Sequence, residues 1–285
     1  MRINHNISSM ITQGTLYTTG RDLSKSLERL STGLRINRAS DDAAGLGVSE
    51  NLRTQIKGVA QAQKNAQDGI AALQIAEGAA NEISSILQRM RELSIQSAND
   101  TLTSVERGYT QQEFSNLRSE IDRIASVTNY NGQQLISSTS TRFGYQGAAA
   151  GSGSAIWIDA NNTAGTDSIT ITIGTLTSTS LAGINTNNIS TQALATNSIS
   201  ALDAAIDSVN SMRANVGAFV NRLEHAVNNL MVAETNQSAA ESLIRDVDFA
   251  TETTQFTRNQ ILTQSATSML SQSNMMTSSV LSLLK

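Results

Sequence analysis

His5 and His225 are the two side chains of this 285-residue sequence best suited to proton transfer or metal ligation, and neither sits in a pattern that would use them. A helical zinc hydrolase site needs the HExxH spacing, which is absent here. The chain has no Cys, which rules out disulfides and thiolate metal sites. No Gly-rich phosphate loop is present, and no Ser has a His in a context that suggests a nucleophile and its base. The sequence therefore reads as a non-enzyme, with no catalytic residues, no metal and no cofactor.

The spacing that does stand out is apolar. Leu16, Gly20, Leu23, Leu27, Leu30 and Leu34 alternate steps of four and three near the start, and Leu262, Ala266, Met269, Ser273, Met276, Val280 and Leu283 do the same at the end. Such alternation keeps one stripe of a helix facing a partner helix. No formal charge lies between Arg2 and Arg21, or between Arg258 and Lys285. A helix whose outer face meets water normally carries charge there. Both ends thus look built for burial by something outside their own chain, as in a subunit of an assembly, and both are expected to be disordered in the free monomer.

Composition narrows the class further. The chain has no Pro, which suits long uninterrupted helices. Net charge is −4 and there is no basic tract, so no nucleic-acid partner is expected. Met1 to Met10 holds no apolar run behind a basic region, so no cleaved secretory signal is expected. No stretch approaches the roughly 20 apolar residues of a membrane helix, so no membrane partner is expected.

The elements that must position these stripes follow in order. A first helix is expected from about Asn4 to Leu34, stopped at Gly33, with Ser40 or Asp41 as N-cap of the next. A long helix then covers about Ala43 to Asn99, with a stripe through Ile83, Ile86, Met90 and Leu93. A third covers roughly Val105 to Thr128, closed by the turn signal Asn131-Gly132. From Ser137 to Ser200 the chain turns Ser/Thr/Gly-rich, with strand patterns at Ile156 to Ile158 and at Ile169, Ile171 and Ile173 around a loop at 161–166. This reads as a small β appendage. The helical pattern resumes at Ile199 and continues through Leu202, Ile206, Val209, Met212, Val216, Phe219, Leu223, Val227 and Leu230. The expected fold is mainly α: an elongated antiparallel coiled coil or helical bundle formed by both chain ends, with a small β-hairpin region in the middle.

Six stretches carry a family resemblance. They are Met1 to Asn6 (MRINHN), Leu30 to Leu46 (LSTGLRINRASDDAAGL), Leu87 to Asn99 (LQRMRELSIQSAN), Ile121 to Ile124 followed by Tyr130-Asn131-Gly132, Glu241 to Asp248 (ESLIRDVD), and Gln260-Ile261-Leu262. Together they resemble bacterial flagellins, over roughly residues 1–136 and 199–285. The resemblance implies a structural subunit that self-polymerises into the flagellar filament for swimming motility. It implies an N-terminal inner-tube helix and connector (1–42), N-terminal shell helices (43–136), a small Ser/Thr/Gly-rich β region (137–198), a C-terminal shell helix (199–245) and a C-terminal inner-tube helix (246–285). Filament packing falls to Leu16, Leu23, Leu27, Leu30, Leu34, Leu262, Met269, Met276, Val280 and Leu283.

The same resemblance implies export of the unfolded chain without a cleaved signal, to a flagellum outside the cell or within a periplasm. The implied partners are other subunits, a flagellar export chaperone, and cap and junction proteins. A Toll-like receptor of an animal host is a further implied partner, recognising Gln88, Arg89, Arg91, Glu92, Leu93 and Glu113. Arg89 and Leu93, four apart, share a helix face. The alternatives are a hook–filament junction protein and, from another class, a binding module. The Pro common near the family's C-terminus is missing from Asn274 to Ser279, so the last helix is expected to run further toward Lys285.

Overall fold

The computed structural model describes residues 6–137, 154–161 and 167–282, with the side chains of residues 277, 278 and 280–282 outside that description. Among the described residues, helices α1 (Ile7–Thr32), α2 (Ala43–Ser97), α3 (Ser104–Val127), α4 (Gln192–Arg245) and α5 (Phe249–Ser282) carry most of the chain. Two antiparallel strand pairs lie between α3 and α4: β1 (Asn129–Tyr130) with β2 (Gln133–Gln134), and β3 (Ser154–Trp157) with β4 (Ser168–Ile171). The mainly helical fold with a small central hairpin is the one expected.

Local chemistry explains the helix ends. The Asn6 side chain accepts the Ser9 N–H at 3.1 Å and starts α1. Gly33, at φ 72°, takes the left-handed turn that ends it and donates its N–H to the Arg29 carbonyl. The helix therefore stops short of Leu34, and the expected start at Asn4 lies outside the described residues. The N-cap of α2 is Asp42, whose Oδ1 accepts the Gly45 N–H at 2.9 Å, in place of Ser40 or Asp41. Asp41 is occupied instead by the Asn37 and Arg38 amides at 3.3 and 3.1 Å. A Thr103/Glu106 capping box opens α3. Asn131-Gly132, both at positive φ, form the tight loop between β1 and β2. At the far end, α5 runs to Ser282 with no Pro to break it.

The chain divides into two compact units, residues 55–234 and residues 1–54 with 235–285. In the first, Leu73, Ile83, Leu87, Met90, Phe114 and Ile121 are fully buried and share one hydrophobic cluster with Leu202, Val209, Val216 and Leu223 of α4. On α2 it is Leu87 that completes the stripe, while Ile86 is only half-buried. On α4 the expected stripe holds, with Ile199, Ile206, Phe219 and Val227 at its half-buried margin. That helix begins at Gln192, ahead of Ile199, because Thr191 caps it and the small Ala195 and Ser198 extend its buried face.

The hairpin is no appendage. Ile156, Ile169, Ile171 and Ile173 belong to the same cluster as the helices. Their alternation with outward Thr170 and Thr172 is the period expected for a half-buried strand. On α2, Gly58 and Gly69 admit the hairpin: a Cβ at Gly58 would meet Ala160, and one at Gly69 would meet Ile156. Between them Asn65 donates to the Trp157 carbonyl at 3.3 Å. The segment after β4 is clasped to α3, where Asp122 accepts the Ser178 amide and hydroxyl at 2.8 and 2.7 Å and Arg118 donates to the Asn185 carbonyl at 2.6 Å.

Trp157, the chain's sole tryptophan, lies in this unit and reports on it alone. Phe114→Ala removes a fully buried ring and should lower the unit's stability by about 3–5 kcal/mol. Urea unfolding followed by Trp157 fluorescence checks this; an unchanged midpoint would show that the ring does not hold α3 to the core.

Candidate assembly surface

The unit formed by the chain ends is built around α1 and α5, which pack along each other. They run antiparallel. At one end Asn6 donates to the Ser273 carbonyl at 3.2 Å and Ser9 bonds Asn274 at 3.0 Å. At the other, Arg29 Nη1 lies 3.4 Å from Glu252 Oε2, with Glu252 buried. From Thr12 to Leu30 the buried and half-buried residues of α1 are Thr12, Leu16, Thr19, Leu23, Ser26 and Leu30, flanked by half-buried Gly20, Glu28 and Arg29. Those of α5 are Glu252, Phe256, Asn259, Thr263, Ala266, Leu270 and Ser273. Both sets step by three and four, so this is a coiled-coil seam, but alternate positions are small or polar.

The sequence stripes therefore split between two faces. Leu16, Leu23 and Leu30 lie in the seam on α1, and Ala266 and Ser273 lie in it on α5. Leu27 is 56% exposed, and Leu262, Met269 and Met276 are 44%, 64% and 63% exposed. Ile11, Tyr17 and Ile261 are also exposed. Leu34, half-buried, sits beyond α1 in an isolated β-bridge with Asp246. The Val280 side chain and Leu283 lie outside the described residues. What the heptads missed is the second line on α1: Thr12, Thr19 and Ser26 recur every seven residues in the seam, with Gly20 half-buried beside Thr19 and Leu27 turned outward.

The connectors leaving α1 and entering α5 are tied to each other. Arg35 N–H donates to the Arg245 carbonyl at 2.7 Å, Val247 N–H donates to the Gly33 carbonyl at 3.0 Å, and Arg35 Nη2 donates to the Ile244 carbonyl at 2.7 Å. Ion pairs flank this latch: Lys25 to Asp41 at 2.7 Å, Arg38 to Glu28 at 3.1 Å and Arg245 to Glu50 at 2.7 Å. The Lys25 ammonium holds the Asp41 carboxyl down to about 2, from an ordinary 3.8, against the opposing effect of burial. Glu50 is lowered chiefly by Arg245, and Asp248 chiefly by the Thr251 hydroxyl that it binds at the start of α5. A cleft of about 480 Å³ beside the latch is lined by Lys25, Arg29, Arg35, Asp248 and Glu252 among others, all engaged in the contacts above.

On the other unit, Gln88, Glu92 and Glu113 are exposed, as is Arg89, whose guanidinium bridges Glu113 at 2.9 Å and Glu92 at 3.0 Å. Arg91, half-exposed, pairs with Asp203 of α4 at 2.6 Å. Leu93 is corrected: it is 1% exposed and packs in the core, so it offers no surface to a partner. His225 is exposed on α4 and His5 lies outside the described residues. Among the described residues no three His, Asp or Glu side chains gather as a metal site, and no helix is long and apolar enough to cross a membrane.

A paired-end helical unit with apolar residues turned outward defines a self-assembling structural subunit. Residues 3–141 match the bacterial flagellin N-terminal helical region, and residues 199–284 match the bacterial flagellin C-terminal helical region. The flagellar filament 33 kDa core protein of Treponema phagedenis is 46% identical over 292 residues, covering 100% of both chains. Flagellin FlaB2 of Treponema pallidum is 45% identical over 293 residues, and a flagellin of Halalkalibacterium halodurans 42% over 289, each again covering 100% of both chains. The chain belongs to the bacterial flagellin family. It is a subunit of the flagellar filament, a structural protein and not an enzyme.

A carboxylate whose pKa falls on folding adds stability above its unfolded value and loses it as pH falls through the folded one. For Asp41 that window runs from 3.8 down to about 2. Amide exchange at Asn37 and Arg38, whose N–H groups it holds, should speed up across this window relative to neighbouring amides. Asp41→Asn should remove that extra acid dependence; an identical profile in the variant would show that Asp41 does not clamp the connector.

Proposed function

We propose that the outward faces of α1 and α5 are the surfaces through which copies of this chain pack in the filament. Leu27, Leu262, Met269 and Met276 become buried there, while Leu16, Leu23, Leu30 and Leu34 hold the pair that presents them. The observation carrying this is the exposure of large apolar side chains on a pair whose own seam is rich in Ser, Thr, Asn and Ala. Leu283 continues the seven-residue line of Leu262, Met269 and Met276, and Val280 continues that of Ala266 and Ser273. Residues 1–42 and 246–285 form the inner tube, 43–136 and 199–245 form helices of the surrounding shell, and 137–198 form the small β region between them.

The chain reaches the growing end unfolded, through the flagellar export apparatus, on an N-terminal signal that is not cleaved. Its lack of Cys leaves no disulfide to hinder threading. An export chaperone, cap and junction proteins are its partners on that route, and the finished filament stands outside the cell or within a periplasm. The exposed Gln88, Arg89, Glu92 and Glu113, with half-exposed Arg91 beside them, are a surface for a host Toll-like receptor, with Leu93 supporting it from beneath.

Two experiments test these roles. Electron microscopy after seeding or salting-out should show long tubes of uniform diameter, which vanish on deleting residues 250–285. Leu27→Asp buries a charge at each contact and should raise the monomer concentration coexisting with filaments at least about tenfold, with the helical circular dichroism retained. Short rings or persistent monomers from the full chain would favour a hook–filament junction protein instead. For the receptor surface, Arg89→Ala and Glu113→Ala monomers should lose about tenfold or more in a cell reporter assay, the scale of an interface hot spot. Unchanged signalling would reject that assignment.

A further inference from the structure

With eight Met and no Cys, thioether is the only sulfur chemistry this chain possesses. Its placement is uneven. Met90 and Met212 are buried in the core of residues 55–234, whereas Met10 on α1 and Met269, Met275 and Met276 on α5 are 63–66% exposed. Met231, on α4, is 51% exposed. Met269 and Met276 follow Leu262 at seven-residue intervals, so among the described residues two of the three large side chains on that outward line of α5 are oxidisable. No charge lies on α5 beyond Arg258 to mask a change of polarity there.

We propose that Met269 and Met276 are an oxidation switch on the assembly surface, converted to sulfoxides by peroxide in the unassembled chain and shielded once the chain is in a filament. This rests on the reading that the outward face of α5 is buried between copies. A thioether lone pair attacks one peroxide oxygen, the S–O bond forms and the O–O bond breaks. Sulfur loses two electrons, and the departing hydroxide takes the proton of the new S–OH group, leaving the sulfoxide and one water. The product is polar and chiral where the thioether was apolar and flexible. Burying it requires a hydrogen-bond donor for the new oxygen, and the line Leu262, Met269, Met276 supplies none. Reduction of the sulfoxide restores the original side chain.

The test treats monomeric full-length chain with hydrogen peroxide, quenches with catalase, and adds filament seeds. Peptide mass analysis should find oxygen on Met269 and Met276 before Met90 or Met212, and elongation should slow at least tenfold. Methionine sulfoxide reductases of both epimer specificities should restore it. Preformed filaments given the same dose should show little oxidation at either position. The Met269→Leu, Met276→Leu double variant should elongate at similar rates before and after peroxide, whatever its starting rate, while Met231→Leu should stay as sensitive as the parent. Undiminished elongation of the oxidised chain, equal oxidation of Met90, or equal sensitivity of the double variant would overturn the switch while leaving the assembly reading intact. Untreated chains that fail to elongate would overturn both.

Discussion

The seam between α1 and α5 alternates Leu16, Leu23 and Leu30 with Thr12, Thr19 and Ser26, against Phe256, Asn259, Thr263, Ala266, Leu270 and Ser273. Small and polar side chains let two helices come close, but they withdraw little apolar surface from water. At roughly 25 cal/mol per Å², that burial is set against a backbone ordering cost of about 1–2 kcal/mol per residue. A pair made this way is marginal alone. Other apolar side chains of the pair, Leu27, Leu262, Met269 and Met276 among them, point to water in the isolated chain. On the packing proposed above, the ends of this chain are completed by other copies.

Residues 55–234 obey a different rule. Their core is continuous, from Leu73 and Leu87 through Phe114 to Leu202 and Leu223, and the hairpin adds Ile156, Ile169 and Ile171 to it. Several polar contacts at that core are made within it: Asp122 holds Ser178, Gln111 accepts from Ile189, and Arg107 donates to the Ser97 and Asn99 carbonyls. On that proposal the chain carries one self-sufficient unit and one that waits for partners. In the waiting unit, the Gly33–Val247 and Arg35–Arg245 hydrogen bonds hold the two connectors together, so α1 and α5 are joined at their connector ends as well as along their seam.

Much of this was legible in the residues. Gly33 as a stop, Asn131-Gly132 as a turn, the alternation of Ile169, Ile171 and Ile173, and the α4 stripe all appear where the pattern puts them. Features set by partners did not. Steps of three and four through Leu16, Leu23 and Leu30 can be completed by Gly20 and Leu27 or by Thr19 and Ser26, and hydrophobicity favours the first. Only the facing helix, with its small residues, centres the seam on Thr19 and Ser26, leaving Gly20 half-buried at its margin and Leu27 exposed. Leu93 failed for a related reason: at ~100° per residue, four positions rotate a side chain about 40° from Arg89, enough to pass from rim to core. Asp42 displaced Asp41 as a cap because the nearby Lys25, a long-range partner, claims Asp41.

The dependence of the ends on other copies is most directly read by hydrogen exchange, comparing α1 and α5 amides in free chain and in filament. Fast exchange across residues 7–32 and 249–282 in the monomer, slowed by orders of magnitude in the filament, is the predicted result, with residues 73–93 protected in both. Termini protected equally in monomer and filament would contradict it, because α1 and α5 would then be stable without their neighbours.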